Sequence, residues 1–110
     1  KKKKKFAKAK LIYCPPYTLL SDFVNFTKKS PIDVGAQNCH EEEFSGSYTG
    51  SISSNMIKSL GAKYIIIGHS ENRISGDSNS IINKKIVSTL NQKLNVIFCV
   101  GEKLKEKKKK

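Results

Sequence analysis

The stretch Tyr64-Ile65-Ile66-Ile67-Gly68-His69-Ser70-Glu71-Asn72-Arg73 runs from apolar residues through a glycine into a dense set of polar groups. An unbroken apolar run of this length suits a strand buried on both faces, as in a parallel sheet covered by helices. Gly68 marks the exit from that strand. Parallel α/β folds bind ligands outside the carboxyl ends of their strands, so the polar groups after Ile67 fall where a site is expected.

Working outward, three more strand-like runs appear at Leu11–Cys14, Ile32–Ala36 and Val96–Val100, with helix-like sequence between them. Pro15-Pro16 ends the first run, and a proline suits the first helical turn because its missing N–H costs nothing there. Tyr17, Leu20, Phe23 and Val24, with Leu19 beside them, then recur at helical spacing. Ser53 is placed to cap a short helix through Met56, Ile57 and Leu60, and Gly61 to end it in the left-handed conformation. Ser78 or Asn79 can cap a third helix with Ile82, Ile86, Leu90 and Leu94 at steps of four. Lys84, Lys85 and Gln92 fall off that stripe.

Between the second strand and its helix, Cys39 to Ile52 forms a long excursion containing Gly46 and Gly50. Loops longer than about 12 residues are uncommon in compact domains unless they bind or gate. The alternation of strands and helices, with strand starts at the spacing of βαβ units, predicts an α/β parallel sheet with right-handed crossovers.

The 110 residues carry a formal charge of +12, but Lys1–Lys5 and Lys107–Lys110 supply nine of the 21 basic residues, and removing those nine leaves +3. The basicity belongs to the ends, and the expected division is a lysine-rich, disordered tail at 1–9, a folded body at 10–105 and a second tail at 106–110. The body lacks the aromatic-and-basic pattern of an RNA-stacking surface, so nucleic acid is expected at most through the tails. Three cysteines without a CxxC pair read as free thiols in a reducing compartment. Cys39-His40 completes no ligand spacing, so no metal is expected. Nothing approaches the ~20 apolar residues of a membrane span or a signal-peptide core, and the expected location is the cytoplasm.

Several of these segments together resemble one family. KLIYCPP (10–16), VGAQNC (34–39), SYTGSIS (47–53), GAKYIIIGHSENR (61–73) and NVIFCVGE (95–102) look like consecutive parts of triosephosphate isomerases, in the same order and at similar spacing. The resemblance implies strands two to five of an eight-stranded β/α barrel, present as about half of it. It implies interconversion of glyceraldehyde 3-phosphate and dihydroxyacetone phosphate through an enediolate, in glycolysis and gluconeogenesis, without a metal or organic cofactor.

His69 would be the electrophile. This family is itself the standard example of a neutral imidazole, held neutral by a helix N-terminus, that polarises a substrate carbonyl. Glu71 would support that site, and Arg73 would make a structural ion pair. Asn72 stands where the family usually has arginine, and the following turn is one residue shorter. Phe44, Tyr48, Thr49 and Gly50 would belong to the loop that reaches the partner of a homodimer. Cys99 reads as a packed small hydrophobe and Glu102 as a structural carboxylate.

No segment of the 110 residues resembles YEPVWAIGTG, which carries the family's catalytic glutamate, or the lid loop after it. The asparagine-x-lysine of the first strand and the late glycine-rich phosphate contacts are missing as well. The expectation for this polypeptide alone is therefore an inactive half-barrel with two unpaired sheet edges. The alternative is a non-catalytic remnant that binds polyanions through its lysines or pairs with other barrel fragments.

Overall fold

The computed structural model describes residues 9–100. Glu102 and almost all of both lysine tails lie outside them. Four strands, β1 (Ile12–Tyr13), β2 (Asp33–Ala36), β3 (Tyr64–Ile67) and β4 (Asn95–Phe98), form one parallel sheet in the order β1-β2-β3-β4. Four helices connect them: α1 (Tyr17–Phe26), α2 (Ser54–Leu60), α3 (Ser70–Ile74) and α4 (Asn79–Asn91). Spatial order that follows chain order means each right-handed crossover steps the same way. The helices then collect on one face, as in a singly wound barrel, instead of covering both faces of an open sheet.

The register shows which face that is. Val34, Ala36, Ile65, Ile67 and Val96 share one side of the pleat. Ala36, Ile65 and Ile67 are fully buried, and they pack with Leu20, Ile57, Ile82 and Leu94 from the helices and their ends. Each fully buried isoleucine or leucine contributes roughly 1.5–3 kcal/mol. The opposite side carries Ile12, Tyr64, Ile66 and Ile97, all only half-buried. In a closed barrel that side is the interior.

Local sequence accounts for the element ends. The Ser53 hydroxyl accepts from the Met56 amide at 3.2 Å, and Gly61 closes α2 at φ 101°. The Ser78 hydroxyl accepts from Ile81 in the same way. At the far end of α4, Leu94 donates to the Thr89 carbonyl and Lys93 to that of Leu90, a Schellman closure in which Lys93 takes the left-handed position at φ 63°.

Three of the strands are shorter than the apolar runs, ending at Tyr13 and Phe98 instead of Cys14 and Val100 and starting at Ile12 and Asp33 instead of Leu11 and Ile32. The last strand begins at Asn95, which pairs with Tyr64, and not at Val96. The α4 stripe also rotates. Steps of four residues advance 400°, so each step drifts 40° around the helix. Leu90, two steps on, is 55% exposed, while Lys85, Ser88 and Thr89 occupy the buried face. Leu94 is buried, but beyond the helix end.

Candidate functional site

The chain leaves β3 through Gly68, at φ 85°, and His69 is the cap of α3. A serine or aspartate commonly fills such a position. Here the imidazole does so: its Nδ1 accepts the Glu71 amide at 3.1 Å. An Nδ1 that accepts a hydrogen bond carries a lone pair, so the proton of the neutral ring sits on Nε2. The Asn72 and Arg73 amides both donate to the His69 carbonyl at 3.0 Å, which closes the turn. The ring keeps 44% of its exposure.

Glu71 follows with its carboxylate in solvent, 87% exposed, and its Oε1 is 3.9 Å from the same Nδ1. The amide and the carboxylate act on that nitrogen in opposite senses. At 3.9 Å the carboxylate is beyond hydrogen-bond length, and solvent screens it. The amide therefore sets the ring's orientation.

His69 and Glu71 border a cleft of about 440 Å³ at the carboxyl ends of the strands. Cys14 and Pro16 come to it from the end of β1, Gln37 and Asn38 from the end of β2, and Ile66 from the inner face of β3. The Gln37 amide group donates to the Cys14 carbonyl at 2.9 Å, tying the first two strand ends together.

Asn38 is held from behind. Its Oδ1 accepts from Lys85 Nζ at 3.0 Å, and the same ammonium meets Asp77 at 2.6 Å. With Lys85 only 6% exposed, this is a buried polar triad joining α4, the turn before it and the loop after β2. Lys85 falls off the apolar stripe of its helix and is buried nonetheless. Its spacing of three from Ile82 and four to Thr89 was the available signal, masked by the stronger apolar residues alongside.

The loop from Gln37 to Ser53 has no helix or strand, yet it is tied down. Cys39 is buried against Thr89, the His40 amide donates to the Ile52 carbonyl, and the Glu43 carboxylate accepts from Asn91 and Gln92. Phe44, Tyr48, Thr49 and Gly50 are exposed, and none of them lines the cleft. Phe44 and Tyr48 border a separate hollow of about 190 Å³, where Tyr48 stacks on His40 at 4.7 Å.

Arg73 makes several hydrogen bonds. Among the described residues it pairs with no carboxylate. Its Nε donates to the Gly68 carbonyl at 2.7 Å, and its remaining nitrogens reach Cys99 O at 3.4 Å and Asn79 Oδ1 at 3.5 Å. Burial pushes the Cys14 and Cys39 thiols upward, against smaller hydrogen-bonding effects, so neither is set up as a thiolate nucleophile. Cys99 is half-buried.

A family model described as triosephosphate isomerase matches residues 1–110. The chain is 42% identical over 102 residues to the triosephosphate isomerase of Moorella thermoacetica, covering 92% of this chain and 41% of that one. It is 46% identical over 98 residues to the enzyme of Alkaliphilus metalliredigens, covering 88% and 39%. A crystal structure of triosephosphate isomerase from Bartonella henselae is similar at a TM-score of 0.84 and 40% identity, over 91% of this chain and 42% of that one. The chain thus spans about two fifths of the length of the curated relatives it matches.

Proposed function

Because the chain belongs to the triosephosphate isomerase family, we propose that its four β/α units serve a barrel that interconverts glyceraldehyde 3-phosphate and dihydroxyacetone phosphate. His69 is the electrophile. With Nδ1 committed to the Glu71 amide, Nε2–H is free to donate to the substrate's carbonyl oxygen as negative charge develops there, and then to move a proton between the two enediolate oxygens. Glu71 supports the site from the edge of the same cleft.

The exposed loop carrying Phe44, Tyr48, Thr49 and Gly50 contacts the second subunit of a homodimer. The reaction takes place in the cytoplasm and uses neither metal nor organic cofactor. No helix among the described residues is long and apolar enough to cross a membrane.

The observation that carries this reading is the Glu71 amide on His69 Nδ1, beside a cleft at the strand ends. The 110 residues supply the electrophile without the family's glutamate, so the polypeptide assayed alone gives turnover near zero in a coupled isomerase assay. In a barrel that includes the glutamate-bearing segment, His69→Ala lowers kcat by roughly 10²–10⁴-fold, the range of a well-placed acid–base group. Full activity in that variant removes His69 from the mechanism. Turnover by the 110-residue polypeptide that vanishes on His69→Ala means the base lies within these residues.

A further inference from the structure

Arg73 stands four residues after His69 and folds back onto the residue before it. The short Nε bond to the Gly68 carbonyl is charge-assisted, and such bonds are about twice as strong as neutral ones. One terminal nitrogen reaches Cys99 O at the end of β4, and the guanidinium lies 5.9 Å from the Phe98 ring centre. The Cys99 amide, in turn, donates to the Ile67 carbonyl at 2.9 Å.

Gly68 gives an independent view of the same contact. A Cβ built there would lie 3.1 Å from Arg73 Nη2, 3.0 Å from the Phe98 ring and 3.1 Å from Cys99 O. The space a side chain would fill is taken by the guanidinium and by β4. The turn that delivers His69 is therefore gripped on both sides. Ahead of it Arg73 holds the Gly68 carbonyl, and behind it the Glu71 amide holds Nδ1.

We propose that Arg73 is a positioning residue for His69, fixing the imidazole's orientation and tautomer by locking Gly68 to the end of β4. Its value to catalysis rests on the reading of His69 as the electrophile; the positioning itself does not. Arg73 touches no reacting atom. It acts through the backbone, by denying residues 68–71 the freedom to let the ring swing off the Glu71 amide.

The test uses a barrel that includes the glutamate-bearing segment, ¹⁵N-labelled, and reads the His69 ring by long-range proton–nitrogen correlation alongside amide exchange. In the unsubstituted protein His69 shows the Nε2–H tautomer and a protected Glu71 amide. In Arg73→Met the Nδ1–H tautomer gains population, toward the minority share it holds in an unrestrained neutral histidine side chain. The Glu71 amide also exchanges roughly tenfold faster, the order expected on losing one charge-assisted hydrogen bond, while Ile65 and Ile82 amides keep their protection. An unchanged ring signature overturns the proposal, as does equal loss of protection at all three amides, which would make Arg73 a prop for the whole fold.

Should the methionine variant fail to fold, Arg73→Lys decides. It keeps the charge and one donor for Gly68 but cannot also span to Cys99, so the tautomer signal is expected to lie between the two. A lysine variant identical to the unsubstituted protein refutes the bridging role. None of these readings uses turnover, so they stand or fall separately from the His69→Ala assay.

Discussion

Two histidines in this chain make the same local bond. His69 Nδ1 accepts the amide two residues on at 3.1 Å, and His40 Nδ1 accepts that of Glu42 at 3.2 Å. The bond alone therefore does not mark a site. His69 borders the cleft at the strand ends, whereas His40 stacks on Tyr48 in the outer loop. At the opposite end of the sheet, Asp33 meets Lys10 at 2.8 Å and Lys63 at 3.7 Å. The hydrogen bond from Lys10, aided by the charge of both lysines, holds the Asp33 carboxyl below its ordinary value. A group depressed in the folded state contributes stability above its unfolded pKa of about 3.9 and loses that contribution as pH falls through its folded pKa. Denaturant titrations across the acid range should show the loss below pH ~4 in the unsubstituted chain and a flatter acid limb in Asp33→Asn. Because Lys10 is half exposed, added salt should shrink the difference.

Among the helices, α4 buries a face that its apolar stripe does not mark. Its existence, its Ser78 cap and the burial of Ile82 are readable from the residues. The Lys85–Asp77–Asn38 triad is not, because a lysine in a helix is ordinarily a solvated charge. Only the loop after β2, brought in by the fold, supplies its second partner. Lys85→Met would leave the Asp77 carboxylate and Asn38 Oδ1 without their shared donor. Breaking a buried pair on one side costs about 3–5 kcal/mol, and replacing both partners with apolar groups restores much of it. Urea denaturation should show a fall of that size for Lys85→Met and a partial recovery for the double variant Lys85→Met/Asp77→Leu. Equal stability of the single variant would show that the triad contributes nothing.

Across the sheet, burial is lopsided. The helix-facing side is sealed by Leu20, Ile57, Ile82 and Leu94, while the other presents Ile12, Tyr64, Ile66 and Ile97 half-covered. Among the described strands, β1 and β4 each have a single neighbour. Uncovered apolar surface and open ladders both favour association. The 110-residue polypeptide alone is expected to bind a hydrophobic dye and to self-associate with rising concentration, as followed by light scattering. A monodisperse, dye-silent monomer at all concentrations would contradict that.

Residue identity was enough for the strands, the caps at Ser53 and Ser78, the left-handed turn at Gly61 and the position of His69 after a buried strand. Each depends on interactions within a few residues of chain, where spacing and side-chain chemistry leave few choices. The partners of Arg73, the burial of Lys85 and the meeting of Cys14, Gln37 and Asn38 with His69 at one cleft had to wait for the fold. These contacts cross from one strand end or helix to another, and no local pattern records which distant carbonyl or carboxylate a charged group will meet.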